Sequence, residues 1–242
     1  MDAPQVRVQV VAGQLHNLKI MSYLVNNKFK STIMKLFLRQ KICLTMLALL
    51  TMNISVLSQK YKTITEVKGL SIGAKAPMFT ANDDNDVKYK LQKALKKGPV
   101  VVLFYRGQWC PVCNKHLSQL QDSLQQIYDK GATVVAISPE TSAFLKQTRT
   151  KTNASFSLLY DKDYVIENAF DVTFKPEDKL VALYNEKLNA KLEKSHSDAS
   201  ARLPVPATFI INKKGIIVWR QFNPDYRIRA SVKEIINNIP TK

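Results

Sequence analysis

Three cysteines are all the thiols in this chain of 242 residues, and two of them, Cys110 and Cys113, stand three positions apart, with Cys43 far upstream. That is too few for a small secreted scaffold stapled by several disulfides. Acidic residues are also scarce, 19 against 36 Lys and Arg. Such a balance suits an anionic partner, although charge alone does not choose between nucleic acid and a lipid surface. No internal repeat and no low-complexity tract interrupts the chain, and its 45% apolar content excludes collagen-like and disordered classes. What is present is enough apolar sequence for one packed domain with an appendage.

The appendage is N-terminal. Met34 to Lys41 carries a short basic stretch, Ile42 to Leu57 is uncharged and apolar, and Ser58-Gln59-Lys60 follows. The apolar run is too short for a comfortable bilayer span and has the anatomy of a secretory signal peptide, with cleavage expected near Ser58. A signal normally opens a chain, so the start is read at Met34, and residues 1–33 as an upstream extension or misassigned start. An uncleaved membrane anchor and a buried helix are the alternatives. Cys43 follows Gln40-Lys41-Ile42 without the small residue a lipoprotein cysteine needs, and is read as a passive apolar residue. A real signal means export to a periplasm or cell envelope, with transient membrane targeting through residues 34–58; otherwise the protein is cytoplasmic. Residues 59–242 keep 29 Lys and Arg against 18 Asp and Glu, but no interleaved basic and aromatic stripe. No nucleic-acid partner is therefore expected, and the lysines are read as a solvated face.

Beyond Gly98-Pro99, Val100 to Tyr105 is a continuous β-branched and aromatic run, as in a strand covered on both faces. Apolar residues then recur at Cys113, Leu117, Leu120, Leu124 and Ile127, predicting a helix with Pro111 in its first turn and Gly131 past its end. A second strand, Ala132 to Ser138, follows directly. Strand, helix, strand with short joins implies a right-handed parallel crossover. Thr141–Thr150, Tyr164–Phe170 and Leu180–Leu192 are further helix candidates, and Ser157–Tyr160 a short strand. Asn212 to Gly215 joins Ala207–Ile211 to Ile216–Trp219 as a hairpin. Ser231 and Glu234 are spaced as a capping box for a closing helix that Pro240 stops. The expected class is α/β, a mixed central sheet flanked by helices.

Cys110-Pro111-Val112-Cys113 sits at the strand-to-helix junction. Free amides and the positive helix end stabilise a thiolate there, and a second cysteine one turn on can attack a mixed disulfide or sulfenic acid. Pro111 fixes φ and removes an amide, which bears on the reduction potential. A structural disulfide and half a zinc site are the competing readings. The zinc site lacks a second pair, since His116 lies six residues after Cys110 on another helix face. A c-type haem needs His where Asn114 stands, so that reading is excluded. No cofactor and no metal is expected.

The run Val101 to Cys113 (V-V-L-F-Y-R-G-Q-W-C-P-V-C), then Leu203-Pro204-Val205-Pro206-Ala207-Thr208-Phe209-Ile210-Ile211, then Asn223-Pro224-Asp225-Tyr226-Arg227-Ile228-Arg229, resembles the peroxiredoxin-like branch of the alkyl hydroperoxide reductase and thiol-specific antioxidant (AhpC/TSA) family. The likeness spans Val67 to Ile239, and the domain is placed at residues 67–240. It implies a thioredoxin fold, with Pro206 the residue such proteins set in cis opposite the thiols; the plainer reading of Pro206 is a strand-entry proline. The chain departs from the peroxiredoxin P-x-x-x-T-x-x-C pattern: the proline falls on Arg106, the threonine on Cys110 and the peroxidatic cysteine on Cys113. In the thioredoxin register, Trp109-Cys110-x-x-Cys113, the attacking thiol is Cys110.

Cys113 begins the apolar stripe, so its sulfur is expected to be the more covered, and Cys110 is taken as nucleophile with Cys113 resolving. Arg106 stabilises the thiolate or orients a peroxide oxygen, or is a solvated loop arginine. Trp109 shields the site or packs, and with Pro111, Val205 and Pro206 is expected to line the substrate pocket. His116 is read as a surface or packing residue. Asp225, Tyr226 and Arg229 match the late motif without an assigned role. Three functions remain open: a thiol peroxidase for hydrogen peroxide or organic hydroperoxides recycled by a thioredoxin-like donor, an extracytoplasmic thiol-disulfide oxidoreductase, and a non-enzymatic redox sensor.

Overall fold

In the computed structural model, which describes residues 39–41 and 61–240, the chain divides into two units, Met1–Lys60 and Tyr61–Lys242. The extension and signal readings of residues 1–58 lie outside the described residues, apart from 39–41, which are helical. Among the described residues no helix is long and apolar enough to cross a membrane. The second unit holds the sheet and the cysteine pair.

Its centre is Val100–Phe104 (β3), where all five residues are buried. Successive strand side chains point to opposite faces, and here both faces find a core. Val101 and Leu103 join Leu117, Leu120, Leu145 and Ile235 on one side. Val100, Val102 and Phe104 join Leu91, Leu95, Phe170 and Phe209 on the other. Each such side chain contributes about 1.5–3 kcal/mol on burial, so a one-residue slip of this strand would scramble both cores.

Around β3 lie Thr133–Ser138 (β4), Ser157–Tyr160 (β5), Ala207–Ile211 (β8) and Ile217–Phe222 (β9), in spatial order β5-β4-β3-β8-β9. The strands β3, β4 and β5 are mutually parallel, whereas β8 runs antiparallel to both β3 and β9. Phe104, at the end of β3, is level with Ile137 on one side and Ala207 on the other, so the loop leaving β3 emerges beside Pro206. The parallel crossover, the hairpin and the mixed sheet match the reading of the sequence, and the capping box forms: Ser231 Oγ accepts from the Glu234 amide at 3.2 Å and Glu234 Oε2 from the Ser231 amide at 2.8 Å, opening Val232–Asn238 (α8).

Two helices differ from expectation. The stripe after Cys110 is carried by Pro111–Asp122 (α2) and Leu124–Asp129 (α3), broken at Ser123, whose φ of −108° and ψ of 11° are not helical. Leu120, Leu124 and Ile127 still reach one core, so the apolar period survives the break. The span expected as one helix to Leu192 ends at Leu188: Asp178–Leu188 (α6) stops where Asn189 turns left-handed at φ 51°, and Leu192–Ser195 (α7) is separate. Ser142–Thr152 (α4) and Val165–Ala169 (α5) fall as expected. The elements Thr80–Asn82 (β1), Lys88–Lys90 (β2), Leu91–Lys97 (α1), Thr173–Phe174 (β6) and Leu203–Pro204 (β7) had no forecast, being short pieces with too few residues to show a period.

Candidate active site

The loop from β3 into α2 is set by contacts that the sequence does not announce. Tyr105 N–H continues the pairing with Ile137 O at 3.1 Å, and Cys110 N–H closes a turn on Gly107 O at 3.1 Å. Gln108 is the hub between them: its amide donates to Glu140 Oε2 at 2.8 Å, and its carbonyl accepts from Asn114 Nδ2 at 2.8 Å and Lys151 Nζ at 3.1 Å. Lys151 Nζ also bonds Gln108 Oε1. Gly107 sits at φ +150°, and a Cβ there would stand 2.5 Å from Glu140 Oε1 and 2.6 Å from Trp109 Nε1. Only glycine suits that position.

The loop delivers Cys110 as the N-cap of α2, with Pro111 at the first helical position. Its Sγ accepts from the Cys113 amide at 3.2 Å, the helix-end donor the sequence pointed to. Cys110 and Cys113 are joined as a disulfide, with Cα atoms 5.2 Å apart. The expectation that burial would separate the two is corrected: relative exposure is 0% for Cys110 and 1% for Cys113. Burial fails to separate them because Arg106, Trp109 and the segment around Tyr226 and Arg229 cover the helix mouth as fully as the core covers its inner face.

Each sulfur has its own guanidinium. Arg106 Nη2 donates to Cys110 Sγ at 3.2 Å, and Arg229 Nη2 to Cys113 Sγ at 3.4 Å. Among the described residues no carboxylate forms an ion pair with either arginine. Arg106 is 3% exposed and boxed by rings, with its Cζ 3.9 Å from the Tyr226 centroid, 5.0 Å from Trp109 and 5.1 Å from Tyr184, while Nη1 donates to the Tyr184 hydroxyl at 2.9 Å. Cation–π contacts of this kind supply about 0.5–2 kcal/mol each. They do not cancel the charge. Burial lowers the Arg106 pKa, and burial followed by the Arg106 charge lowers that of Arg229 to about 10. The reading of Arg106 as a solvated loop residue is thereby overturned.

Positive charge that no carboxylate of the described residues pairs with, a helix-end amide and a nearby second sulfur together favour a thiolate once the bond is reduced. A cavity of about 790 Å³ opens on the other side of Arg106, walled by Ile64, Phe174, Leu180, Leu183, Pro206 and Tyr226. Of the four residues expected to line a substrate pocket, Pro206 lines this cavity. Trp109 instead packs on Tyr184 at 5.0 Å, Pro111 faces solvent at the helix start, and Val205 is fully buried with its amide on Val172 O. Their side chains are spent on the ring stack, the helix end and the core. His116 is a packing residue, 6% exposed, with burial lowering its pKa to about 4. Among the described residues no group of three His, Cys, Asp or Glu is placed to hold a metal.

Tyr184 and Glu140 were missed by the sequence reading. Neither lies in a motif, and Tyr184 reaches the site from α6, 78 positions after Arg106. Arg229 and Tyr226 belong to the late motif, and they meet Cys113 Sγ and the Arg106 guanidinium respectively.

Sheet order, helix placement and a cysteine pair at a helix N-terminus define a thioredoxin-fold protein. The AhpC/TSA family pattern matches residues 72–220, and the chain belongs to that family, on its peroxiredoxin-like branch. Peroxiredoxin Q, chloroplastic, of Oryza sativa subsp. japonica is 27% identical over 167 residues, 68% of this chain and 66% of that protein. The chain thus spans just under two thirds of that relative's length. Peroxiredoxin Q, chloroplastic, of Triticum aestivum is 28% identical over 171 residues, 69% of this chain and 68% of the relative. Solved structures with the same fold include the peroxidoxin BcpB of Mycobacterium tuberculosis (TM-score 0.54, 17% identity, 70% of this chain and 96% of that one). The peroxiredoxin-like protein of Aquifex aeolicus is as similar (TM-score 0.54, 17% identity, 70% and 86%).

Two buried groups give stability opposite pH trends. Glu140 is fully buried, and that burial raises its pKa from 4.5 to about 8. The folded protein therefore holds a proton that the unfolded chain releases above about 4.5, and this contribution is lost as pH rises to about 8. His116 works the other way, its contribution growing from about pH 4 to 6.5 and then staying level. Urea midpoints between about pH 6.5 and 8 are therefore expected to fall less in Glu140→Gln than in the wild type; equal falls would show that Glu140 carries no such proton.

Proposed function

We propose that this protein is a thiol-dependent peroxidase in which Cys110 attacks and Cys113 resolves. The observation that carries the reading is the double donation to Cys110 Sγ, from the Cys113 amide and from Arg106. The Cys110 thiolate displaces on the terminal oxygen of a hydroperoxide, the O–O bond breaks, and the departing alkoxide or hydroxide leaves with a proton as alcohol or water. Cys110 is then a sulfenic acid. The Cys113 sulfur attacks the Cys110 sulfur, water leaves, and the disulfide forms. Two thiols of a thioredoxin-like donor return the pair to the reduced state and become a disulfide themselves. Arg106 stabilises the thiolate and also lines the neighbouring cavity, from which a peroxide would approach; Arg229 plays the same electrostatic part for Cys113.

A second reading is supported by Cys110 standing where the peroxiredoxin pattern has threonine. In it the same pair reduces protein disulfides. Stopped-flow reaction of the reduced protein with hydrogen peroxide and with an organic hydroperoxide, followed by tryptophan emission, separates the two when run beside an insulin-reduction assay. Peroxide reduction at least about a hundredfold faster than by a free thiol is expected. Rates like a free thiol's together with brisk insulin reduction would replace the first reading with the second. Cys110→Ser should abolish both activities and Cys113→Ser should trap a sulfenic acid or mixed disulfide; the reverse pattern would exchange the roles.

Export through residues 34–58 belongs to the same proposal, since an oxidising envelope calls for a thiol system with its own electron supply. N-terminal sequencing of protein from its native host should find a terminus at or near Gln59, whereas an intact Met1 terminus would defeat export.

A further inference from the structure

Glu140 lies behind the cysteine loop in a setting that the peroxidase chemistry leaves unexplained. It follows β4, and its backbone is pinned, bridging to His196 and donating to Ser138 Oγ at 3.3 Å. Its side chain is 0% exposed, with Oε2 on the Gln108 amide. The other oxygen, Oε1, has no hydrogen-bond partner, and neither has the indole Nε1 of Trp109. Both atoms crowd the α-carbon of Gly107, within 2.6 Å of the point where a Cβ would stand. An unpaired acceptor and an unpaired donor thus both border the space that the missing side chain of Gly107 leaves open. Trp109 is the residue before Cys110.

We propose that Glu140 is a positioning residue for Cys110: its carboxyl group fixes Gly107–Trp109 through the Gln108 amide, and its gain or loss of a proton is transmitted through that loop to the reactivity of the Cys110 thiol.

The unpaired oxygen is what makes the proton matter. A protonated Glu140 is neutral and tolerates an apolar setting. Once ionised it holds a charge that Oε2 shares with one amide, while Oε1 has no donor and the unpaired N–H of Trp109 borders the same space. Rotating the indole toward Oε1 satisfies both orphans and moves the residue joined to Cys110. The new negative charge also disfavours a second one at the Cys110 sulfur, in a region of low dielectric. Burial places the Glu140 transition near pH 8, where a thiol peroxidase would feel it. The titratable and charged groups facing Glu140 are Lys151 from α4, which opposes the burial and lowers its pKa, Tyr105 at the end of β3, and His196 through the backbone bridge. The inference rests on Cys110 being the attacking thiol.

The test is the rate of Cys110 alkylation by iodoacetamide in reduced Cys113→Ser protein, measured from pH 6 to 9, which requires no peroxide and so stands or fails apart from the peroxidase reading. Adding Glu140→Gln, which keeps the acceptor but cannot ionise, should leave the rate at pH 6 unchanged. Across pH 7 to 9, where a Cys110 thiol with a midpoint below about 7 is already thiolate, the protein that keeps Glu140 should show a further step in rate of about twofold or more centred near pH 8, and Glu140→Gln should lack it. Lys151→Met, which removes the charge that lowers the Glu140 pKa along with its bonds to Gln108, should move the wild-type step to higher pH. Trp109 emission, read in a Trp219→Phe background, should titrate with the same midpoint and lose that titration in Glu140→Gln. Parallel alkylation profiles with and without the Glu140→Gln change would overturn the proposal. An unmoved step in Lys151→Met would do so as well, and that arm decides the matter if Glu140→Gln fails to fold.

Discussion

Two guanidinium groups set against two sulfurs, Arg106 buried and Arg229 partly so, with no carboxylate ion-paired to either among the described residues, set the terms for the rest of this structure. Burying a lone charge costs several kcal/mol unless something answers it. Rings answer part of it, and the Tyr184 hydroxyl another part. The remainder is available to any anion that forms at the sulfurs. A thiolate is such an anion, and it is the reactive form of cysteine. The fold is arranged to keep that demand in place: β3 ends level with β4 and β8, the loop closes on Gly107, and α2 begins at Cys110.

The electrostatics are graded around the pair. Ahead of the sulfurs, toward the cavity, stands positive charge. Behind the loop stands Glu140, kept neutral by burial up to about pH 8. A carboxylate in the same place would compete with the thiolate for the field of Arg106, so its neutrality near pH 7 is consistent with a site that stores negative charge on sulfur. Family membership, through residues 72–220, fixes the fold and the branch, while the charge distribution at the sulfurs is a property of this chain's own residues.

Much of this was legible in the sequence, for identifiable reasons. The run Val100–Tyr105 and the stripe Cys113–Ile127 carry long-range packing in local pattern, so strand, helix and crossover could be read directly. The cysteine pair and its helix-end amide were equally local. What depended on distant contacts was not legible. Tyr184 joins Arg106 across 78 positions, and Glu140 meets Gln108 across 32. Relative sulfur burial was misjudged because the apolar stripe describes the inner face of α2 alone, whereas the outer face is covered by Arg106, Trp109 and a segment more than a hundred residues later. The breaks at Ser123 and Asn189 are backbone events that the apolar period does not register.

The central claim is that Cys110 is held as a thiolate by Arg106 and the end of α2. Titrating the ultraviolet thiolate absorbance of reduced Cys113→Ser protein measures this directly. The account predicts a midpoint below about 7, well under the roughly 8.5 of a free thiol, and a rise of about one unit or more in Arg106→Met. A midpoint at or above about 8.5, unmoved by loss of Arg106, would contradict it.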